Sequence, residues 1–485
     1  MIKLIFQNEI YPYDVYHLTK AFFPGEEIVQ EICPEADLLI KAERNGGKLL
    51  EIPPESVENI SERKEKKYFV NKFTYETYEK LTGKGLAWGI LTGIRPTKIM
   101  MGALEEGREE KEILEEMQTH YLMTKEKARL GLEIAKREKM LLEKLDYENG
   151  YSLYVGIPFC PTTCIYCSFT SYPLASWKNY VEEYLAALFK EITAVGLHMQ
   201  GKKLNTVYIG GGTPTTLSAE QLDRLLSHLE ATFSYEFLLE FTVEAGRPDS
   251  ITREKLEVLR KHQISRISIN PQTMQQKTLD LIGRRHTVED IIQVYRMARE
   301  LGFDNINMDL IAGLPGETPE DMEDTLKAIC RLDPDNLTVH SLAVKRASKL
   351  RQMEEFRRTA EEEEKMAKDL SNMIELSYEY AEKMSMTPYY LYRQKNIAGN
   401  FENVGYAKVD KAGIYNILIM EEKQSIIAVG AGASTKIVLP EGKEIQDKKS
   451  GNLKNIVRIE NVKDVDAYIT RIDEMIERKG EWLWR

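Results

Sequence analysis

Three of the chain's five cysteines lie within eight residues, in the run Cys160-Pro-Thr-Thr-Cys164-Ile-Tyr-Cys167. The C-x3-C-x2-C spacing suits three thiolate ligands on three irons of a [4Fe–4S] cluster, which leaves the fourth iron open to a small molecule. Zinc is the competing metal, but a structural zinc site needs four ligands, and the next histidine along the chain is His198. Three buried cysteines without a metal are the remaining alternative. The spacing favours the cluster.

Glycine and polar residues follow each of the later strand-like segments. They are the run GGGTPT at 210–215, then Glu244, Gln272, Asp309, His340 and Ala343. Glycines allow the backbone to approach a ligand closely, and buried carboxylates must be paired or used. No Gly-Lys-Ser/Thr follows the glycines, so they do not form a phosphate loop. Each group also has a structural interpretation: a tight turn for the glycines, an ion pair for the carboxylates and a core position for the histidine.

Six short β-branched runs alternate with amphipathic segments from Tyr151 onward, and these elements must position the polar residues. The strand candidates cover 152–158, 205–210, 238–245, 264–270, 304–311 and 336–342. Parallel strands need crossover connections, so this alternation indicates a parallel sheet with its chemistry at the carboxyl ends of the strands. The predicted fold class is α/β, with a partial (βα)6 TIM-like barrel over 151–345. An open doubly wound sheet is the alternative.

The flanking segments predict two further domains. Residues 1–150 begin with strand-like MIKLIFQ, ADLLIKAE and GKLLEI and continue with helical segments, which indicates an N-terminal α/β-plus-helical domain. Residues 346–485 predict a smaller C-terminal α+β domain, with a charged helix from Glu354 to Met384. In that domain IYNILIM and SIIAVGAGAS read as strands, and the part after Val462 reads as a helix.

Composition narrows the class of protein. The chain has 485 residues, 42% hydrophobic residues and a formal net charge of −11. It contains no apolar run of the ~18 residues that span a bilayer, and its N-terminus lacks the features of a signal peptide. We therefore expect a cytoplasmic protein, and the acidic balance argues against nucleic acid as its partner. Cys33 and Cys330 are expected in the core.

The cysteine spacing, taken together with the ordered motifs that follow it, resembles the radical S-adenosylmethionine (SAM) enzymes. In that superfamily the open iron binds SAM, and one-electron reduction cleaves SAM to methionine and a 5′-deoxyadenosyl radical. Four passages, YVGIPFCPTTCIYCSF, GGGTPT, RISINPQT…LIGRRHT and NMDLIAGLPGET, are similar to the oxygen-independent coproporphyrinogen III oxidase group. With WGILTGIRPTK upstream, the whole chain looks most like the Firmicutes-type coproporphyrinogen dehydrogenases.

The resemblance implies a role for individual residues of this chain. Cys160, Cys164 and Cys167 would hold a [4Fe–4S] cluster. The implied contacts to SAM, of which two molecules are possible, are Tyr154, Phe169, Gly211, Gly212, Thr213, Glu244, Gln272, Arg284, Asp309, Ala343 and Ile427. Tyr154, Arg346 and Phe401 are the implied catalytic residues, and the segment GNFENVGY would line the substrate cavity. A flavodoxin- or ferredoxin-type electron donor is also implied.

The implied reaction converts two propionates of a tetrapyrrole to vinyl groups without oxygen. Substrate carboxylates favour arginine, so the hypothesis assigns propionates to some of a set of basic residues. The candidates are Lys345, Arg346, Lys349, Arg393 and Lys395. Arg95, Pro96 and Lys98 could form an anion site at a helix start.

The chain differs from the oxidases at two positions of the cysteine motif, and these differences keep a function other than decarboxylation open. Phe169 stands where the studied oxidases have a fourth cysteine, and Gly156 stands where they have histidine. The Cys-x-Phe ending is shared with haem chaperones, but no histidine follows His340, which weakens a histidine-ligated haem carrier. The alternatives to a decarboxylase are therefore a tetrapyrrole-binding protein and another radical SAM reaction on a tetrapyrrole.

Overall fold

The structure is a computed structural model that describes residues 1–169, 171–343, 348–353, 359–393, 401–446 and 453–483. None of the helices in those ranges is both long and apolar enough to cross a bilayer.

A four-stranded sheet packed by helices forms the N-terminal part of the chain. Its elements are β1 (Ile2–Phe6), α1 (Pro12–Phe22), β2 (Ile28–Ile32), β3 (Ile40–Arg44), β4 (Gly47–Ile52), α2 (Glu55–Glu58) and α3 (Arg63–Thr82). The strand order is β2-β1-β3-β4, and β1 pairs parallel to β2 and antiparallel to β3. Three of these strands match the predicted ones. Helix α1 and strand β2 were not predicted. Pro12 at the start of α1 is a favourable helix-start signal that was missed, and β2 is exposed along most of its length, so it lacks the apolar alternation of a half-buried strand.

Three helices connect this sheet to the rest of the protein. They are α4 (Thr97–Glu105), α5 (Glu110–Thr119) and α6 (Lys125–Leu142). Their buried side chains, such as Met100, Ile113 and Ile134, belong to the same hydrophobic core as the central sheet. The N-terminal sheet instead has a core of its own around Leu4, Phe6 and neighbouring residues.

Six parallel strands in sequence order form the centre of the molecule. They are β5 (Gly150–Ile157), β8 (Lys203–Gly211), β9 (Glu240–Glu244), β10 (Arg266–Ser268), β11 (Ile306–Ala312) and β12 (Asn336–Ser341). All five neighbouring pairs among them are parallel. The predicted partial (βα)6 barrel is therefore confirmed. Two short strands follow β5, namely β6 (Phe159–Cys160) and β7 (Tyr172–Pro173).

Helices connect the six strands, as the amphipathic segments predict. They are α7 (Leu174–Trp177), α8 (Val181–His198), α9 (Ala219–Thr232), α10 (Arg253–Lys261), α11 (Gln276–Leu281), α12 (Val288–Glu300) and α13 (Pro319–Leu332). Short 3-10 turns lie at Lys178–Tyr180, Pro214–Thr216, Pro248–Ser250 and Lys349–Gln352. A capping box starts α12, where the Thr287 side chain accepts from the Asp290 backbone and the Asp290 carboxylate accepts from the Thr287 backbone.

The C-terminal segment adds strands to both edges of the central sheet. Its elements are α14 (Ala360–Lys383), β13 (Thr387–Arg393), β14 (Glu402–Ala407), α15 (Ile414–Glu421), β15 (Ser425–Val429), β16 (Ser434–Val438), β17 (Ile445–Gln446), β18 (Leu453–Lys454), β19 (Ile456–Glu460), α16 (Val465–Thr470) and α17 (Ile472–Leu483). At one edge, strand β15 pairs parallel to β5, and β16 and then β19 extend the sheet beyond it. At the other edge, β14 pairs antiparallel to β12, and β13 extends the sheet beyond β14. The result is one sheet of eleven strands.

One prediction for this segment is wrong. The run IYNILIM was predicted to be a strand, but it forms helix α15. Its apolar residues are buried on several sides, with Tyr415 against the barrel tyrosines and Ile417 and Leu418 in a separate core, so the run shows no single apolar face. The predicted charged helix is present as α14, and residues 354–358 of that prediction lie outside the described residues.

A buried ion pair joins the last helix to the barrel. The Lys479 Nζ of α17 lies 2.5 Å from Oε1 of Glu191 in α8, and both side chains are at most 2% exposed. Glu191 also accepts from Asn461 and from the Tyr468 hydroxyl, and its Oε2 accepts from the backbone N–H of Gly430 at 2.8 Å. The network therefore fixes the glycine-rich loop after β15 beside strand β5.

We expect the Lys479→Met variant to lose about 3–5 kcal/mol of unfolding free energy, because the Glu191 carboxylate would stay buried without its cation. Chemical denaturation of the purified protein measures the loss. The matched control is Lys190→Met, which removes an exposed ion pair to Asp473 between the same two helices and should cost under ~1 kcal/mol. Equal losses for the two variants would contradict the assigned role of the buried pair.

Candidate functional site

The three clustered cysteines lie on the loop that follows the first barrel strand. Cys160 ends the short strand β6, and Cys164 and Cys167 follow it, with Cys164 buried and the other two half-buried. The loop is anchored on two sides by its backbone. Thr213 N–H donates to Phe159 O at 2.7 Å, and Ile165 N–H donates to Ile282 O at 3.2 Å. The cysteine loop thus lies between the glycine-rich loop after β8 and the loop after α11.

Two of the cysteine sulfurs accept hydrogen bonds from neighbouring side chains. The Thr213 hydroxyl donates to Cys160 Sγ, and Arg247 Nη1 donates to Cys164 Sγ, each at 3.6 Å. Burial raises the pKa of Cys160 to about 11 and also raises the pKa of Cys167. These thiols therefore need a strong cation before they ionise, which is what a metal cluster provides.

The arrangement of the thiols does not match a single metal ion. Among the described residues, no three His, Cys, Asp or Glu side chains converge on one ion position. A zinc ion would hold its thiolates about 2.3 Å away and so draw them together, whereas each cysteine of an iron–sulfur cluster binds its own iron. Cys167 N–H donates to Cys164 O at 3.1 Å, so these two cysteines lie on one turn of the loop. The donor set therefore fits the cluster with one open iron.

The glycine-rich loop after β8 lies directly against the backbone of the cysteine loop. A Cβ on Gly212 would lie 2.5 Å from Phe159 O, and Gly211 has a left-handed φ of +109°. Both positions therefore require glycine for a structural reason, in addition to any contact with a ligand.

Glu244 ends strand β9 and is the centre of a phenol cluster. The Tyr208 hydroxyl donates to Glu244 Oε1 at 2.5 Å, and burial raises the pKa of Glu244 to about 7. The Tyr208 ring stacks on Tyr415 of α15 at 4.5 Å between centroids, and Tyr154 stacks on both rings at 6.2–6.4 Å. The three tyrosines therefore form a stacked aromatic group beside the carboxylate, with Tyr415 buried and Tyr154 and Tyr208 half-buried.

Gln272 and Asp309 lie side by side at the ends of the next strands. Gln272 has a left-handed φ of 68°, and its backbone N–H donates to Asp309 O at 2.9 Å. Its side-chain Oε1 is buried and has no hydrogen-bond partner among the described residues. Asp309 accepts from Asn307 at 2.7 Å and lies 3.8 Å from His340 Nε2. Burial alone would raise the pKa of Asp309, but His340 and the neighbouring donors hold it below its usual value.

Arg284 brings a cation to the same edge of the sheet. Its guanidinium is 5% exposed, donates to Asn270 O at 2.5 Å and faces Tyr166 and Cys164. Within the described part of the chain, the buried Nε of Arg284 has no hydrogen-bond partner. The structure therefore gathers the cysteines and Tyr154, Gly211, Gly212, Thr213, Glu244, Gln272, Arg284 and Asp309 at the carboxyl ends of the barrel strands.

Four further candidates differ in exposure and position. Phe169 is 71% exposed beside the cysteine loop, while Ala343 and Phe401 are half-buried against the main core. Ile427 is fully buried in β15, in register with Leu153 of β5, and its contact to the cofactor stays a prediction. Arg346 lies outside the described residues.

The basic residues proposed for propionates receive little support. Arg393 is 2% exposed, and its Nη1 donates to Leu91 O at 2.6 Å beside the Trp88 ring. Burial lowers its pKa to about 10. Lys349 is exposed, and Lys345 and Lys395 lie outside the described residues. Arg393 therefore joins strand β13 to the N-terminal segment rather than presenting its guanidinium to a substrate.

The predicted anion site at Arg95 is also occupied by protein. Arg95 Nη2 lies 2.7 Å from Glu422 Oε2, and its Nη1 donates to Met420 O. Both partners lie at the C-terminal end of α15, where a cation complements the helix dipole. Arg95 therefore fixes the helix that carries Tyr415 into the barrel, and the anion hypothesis is wrong for this residue.

Three residues of the site were missed by the sequence analysis. Tyr208 and Tyr415 read as ordinary apolar positions of a strand and a helix. Arg247, which donates to a cysteine sulfur, carries a detectable signal, because an arginine three residues after Glu244 falls at the same strand end as the other candidates.

The chain resembles known proteins over this site and beyond it. Residues 154–329 match the Radical SAM superfamily model. The chain is 42% identical over 406 residues to the oxygen-independent coproporphyrinogen-III oxidase-like protein HemZ of Bacillus subtilis strain 168, which covers 83% of this chain and 78% of that protein. It is 40% identical over 194 residues to the heme chaperone HemW of the same organism, covering 40% of this chain and 50% of HemW.

A solved structure shares the fold. The coproporphyrinogen III oxidase HemN from Escherichia coli, a radical SAM enzyme, superposes with a TM-score of 0.51 and 22% identity over 68% of this chain and 70% of that chain. The match to HemZ extends well past the barrel into both flanking segments. The chain therefore belongs to the family of oxygen-independent coproporphyrinogen III oxidase-like radical SAM proteins.

Proposed function

We propose that the protein catalyses the oxygen-independent oxidative decarboxylation of coproporphyrinogen III, converting two propionates to vinyl groups to give protoporphyrinogen IX in haem biosynthesis. One observation carries the proposal: the three cysteines lie at the same barrel edge as the half-buried Glu244 and Asp309 and the buried Gln272, in a chain that is 42% identical to an oxidase-like protein. The similarity to HemZ favours the porphyrin pathway over other reactions of the superfamily.

The residues at this edge would hold both cofactors. Cys160, Cys164 and Cys167 would bind the cluster, and Glu244, Gln272, Asp309 and the other strand-end residues named above would bind SAM. When bound, these cofactors supply the removal of one hydrogen atom from the β-carbon of a propionate, after which loss of CO2 and one electron leaves the vinyl group.

The chain's own side chains prepare the site for a cationic amino acid derivative. Glu244 and Asp309 offer two carboxylates on β9 and β11, the two strands that flank β10. Gln272 follows β10, and its Oε1, which has no hydrogen-bond partner among the described residues, offers a neutral acceptor between them. The stacked Tyr154, Tyr208 and Tyr415 lie beside Glu244, and we propose that they limit the access of water to the reacting groups. Tyr154 lies beside Gly211, with the Tyr154 hydroxyl 3.3 Å from where a Cβ would stand, which supports its place at the reaction centre.

The substrate would lie above this edge, where the C-terminal segment adjoins the barrel. Phe401 precedes β14, the strand that pairs with β12, and Arg346 follows β12 in the chain. We propose Phe401 as an apolar contact and Arg346 as a propionate ligand. A flavodoxin- or ferredoxin-type protein would supply the electron, and the five unpaired thiols favour the cytoplasm as the compartment.

The test is turnover of the reconstituted protein. We expect anaerobic protein with iron, sulfide, SAM and a strong reductant to convert coproporphyrinogen III into products that have lost one CO2 and two hydrogens per propionate, with 5′-deoxyadenosine formed. Mass spectrometry measures both products. SAM cleavage without any decarboxylated product would contradict the proposed substrate.

A haem chaperone is the second candidate, and the match to HemW over the barrel favours it. Phe169, two residues after Cys167, also agrees with it. The same preparation separates the two functions. Stoichiometric haem binding without turnover of coproporphyrinogen III would support the chaperone, and turnover without stable haem binding would support the decarboxylase.

A further inference from the structure

Arg247 is buried beside the cysteine loop, and none of the proposed cofactor contacts accounts for it. It lies in the loop after β9 and is 3% exposed. Its Nη1 donates to three acceptors of the cysteine loop: Thr162 O at 3.1 Å, Thr162 Oγ1 at 2.9 Å and Cys164 Sγ at 3.6 Å. One guanidinium nitrogen therefore holds both the backbone of the loop and a cluster ligand.

The other side of the guanidinium is fixed by a carboxylate. Arg247 Nε and Nη2 donate to the two oxygens of Asp249 at 3.0 and 2.6 Å, which is a bidentate pair. Thr162 is in turn fixed, because its hydroxyl donates to Gly283 O at 3.0 Å in the loop that carries Arg284. Arg247 cannot turn away from Cys164 without breaking the pair with Asp249.

A cation that donates to a ligand sulfur has a definite electrostatic effect. Reduction adds one negative charge to an iron–sulfur cluster, and a buried guanidinium stabilises that charge more strongly than an exposed one. Hydrogen bonds to the sulfurs and net charge are among the factors that set the reduction potential of such clusters. Partners beyond the direct ligands also fix the ligands and tune the metal centre.

We propose that Arg247 is a positioning residue for the cluster: it holds the Cys164 segment in place and raises the reduction potential of the cluster through its hydrogen bond to Cys164 Sγ. The inference rests on the cluster-binding part of the proposed function and does not depend on which tetrapyrrole reaction follows.

The test compares Arg247→Gln, Arg247→Lys and the control Arg253→Gln with the wild type. Arg253 lies at the start of α10, where it pairs with Glu300 on the surface. Each protein is reconstituted anaerobically, its iron is counted, and its midpoint potential is measured by a redox titration followed by electron paramagnetic resonance. Thermal unfolding of the cluster-free proteins checks the fold.

We expect Arg247→Gln to lower the equilibrium constant for one-electron reduction about tenfold, which is about 59 mV to more negative potential. Arg247→Lys should shift less, because it keeps the charge, and Arg253→Gln should not shift. Wild-type iron content and potential in Arg247→Gln would overturn the proposal. Failure to load iron with a wild-type unfolding temperature would support the positioning role.

If Arg247→Gln does not fold, Arg247→Lys decides, and an unchanged potential in that variant overturns the proposal. A wild-type protein that binds no cluster would instead refute the proposed function. The two failures are therefore distinguishable.

Discussion

A Cys164→Ser variant will lose cluster iron and will not cleave SAM. Cys164 is the buried cysteine of the three, and its sulfur meets Arg247 and Arg284. A serine oxygen is a harder and less ionised ligand than a thiolate, so the loop would present two good ligands instead of three. We expect iron and sulfide content to fall and formation of 5′-deoxyadenosine to drop to background.

The matched control for this loss is Cys330→Ser. Cys330 lies in α13, half-buried against the core and away from the strand ends. Its replacement should leave iron content and SAM cleavage at wild-type values. Retention of full iron and activity by Cys164→Ser would contradict the assignment of the cluster to these cysteines.

A Glu244→Gln variant should weaken SAM binding about 10- to 100-fold, because a hydrogen bond to a buried charged acceptor is worth ~1.5–3 kcal/mol. The pKa of Glu244 is about 7 in the ligand-free protein, so its carboxyl group is protonated below that pH. Wild-type affinity for SAM should therefore fall as the pH drops from 8 to 6, and the variant should lose this dependence. Equilibrium binding at several pH values measures both effects.

Although Glu244→Gln should weaken SAM binding, it should stabilise the ligand-free protein at high pH. Burial raises the pKa of Glu244 from 4.5 to about 7, so its contribution to stability is present below pH 4.5 and is lost as the pH rises through 7. At pH 8 without SAM, we expect Glu244→Gln to unfold less readily than the wild type, by roughly 2–3 kcal/mol.

The exposed Glu257 of α10 provides the control, since Glu257→Gln should change neither SAM affinity nor unfolding. A Glu244→Gln protein that binds SAM normally and unfolds more readily at pH 8 would contradict a binding role for this carboxylate. A Glu244→Gln protein that is more stable but binds SAM more weakly is expected if the wild-type carboxylate is kept at a cost in stability in order to bind a cationic ligand.

Much of the barrel is predictable because the local preference of each segment agrees with its place in the final fold. The six strands have continuous β-branched cores, and helices such as α12 begin with a capping box, so local and long-range preferences coincide. The cysteines and the strand-end residues followed from the same pattern. The sequence pattern does not show which segments far apart in the chain contact each other in the fold.

The missed features have two physical causes. Helix α15 is buried on several sides, so its apolar residues show no helical period. Arg95 was predicted to bind an anion because it lies at a helix start, and Arg393 to bind a propionate because carboxylates favour arginine. In the structure their partners lie far away in sequence: Glu422 is 327 residues from Arg95, and Leu91 is 302 residues from Arg393. Arg247 was overlooked for the same reason, since its role depends on a sulfur 83 residues before it.

The most direct test of the account follows one hydrogen atom. Coproporphyrinogen III with deuterium at the propionate β-carbons is turned over anaerobically by the reconstituted protein, and the 5′-deoxyadenosine is analysed by mass spectrometry. The account predicts one deuterium in 5′-deoxyadenosine for each vinyl group formed. Unlabelled 5′-deoxyadenosine, with the labelled substrate recovered intact, would contradict it.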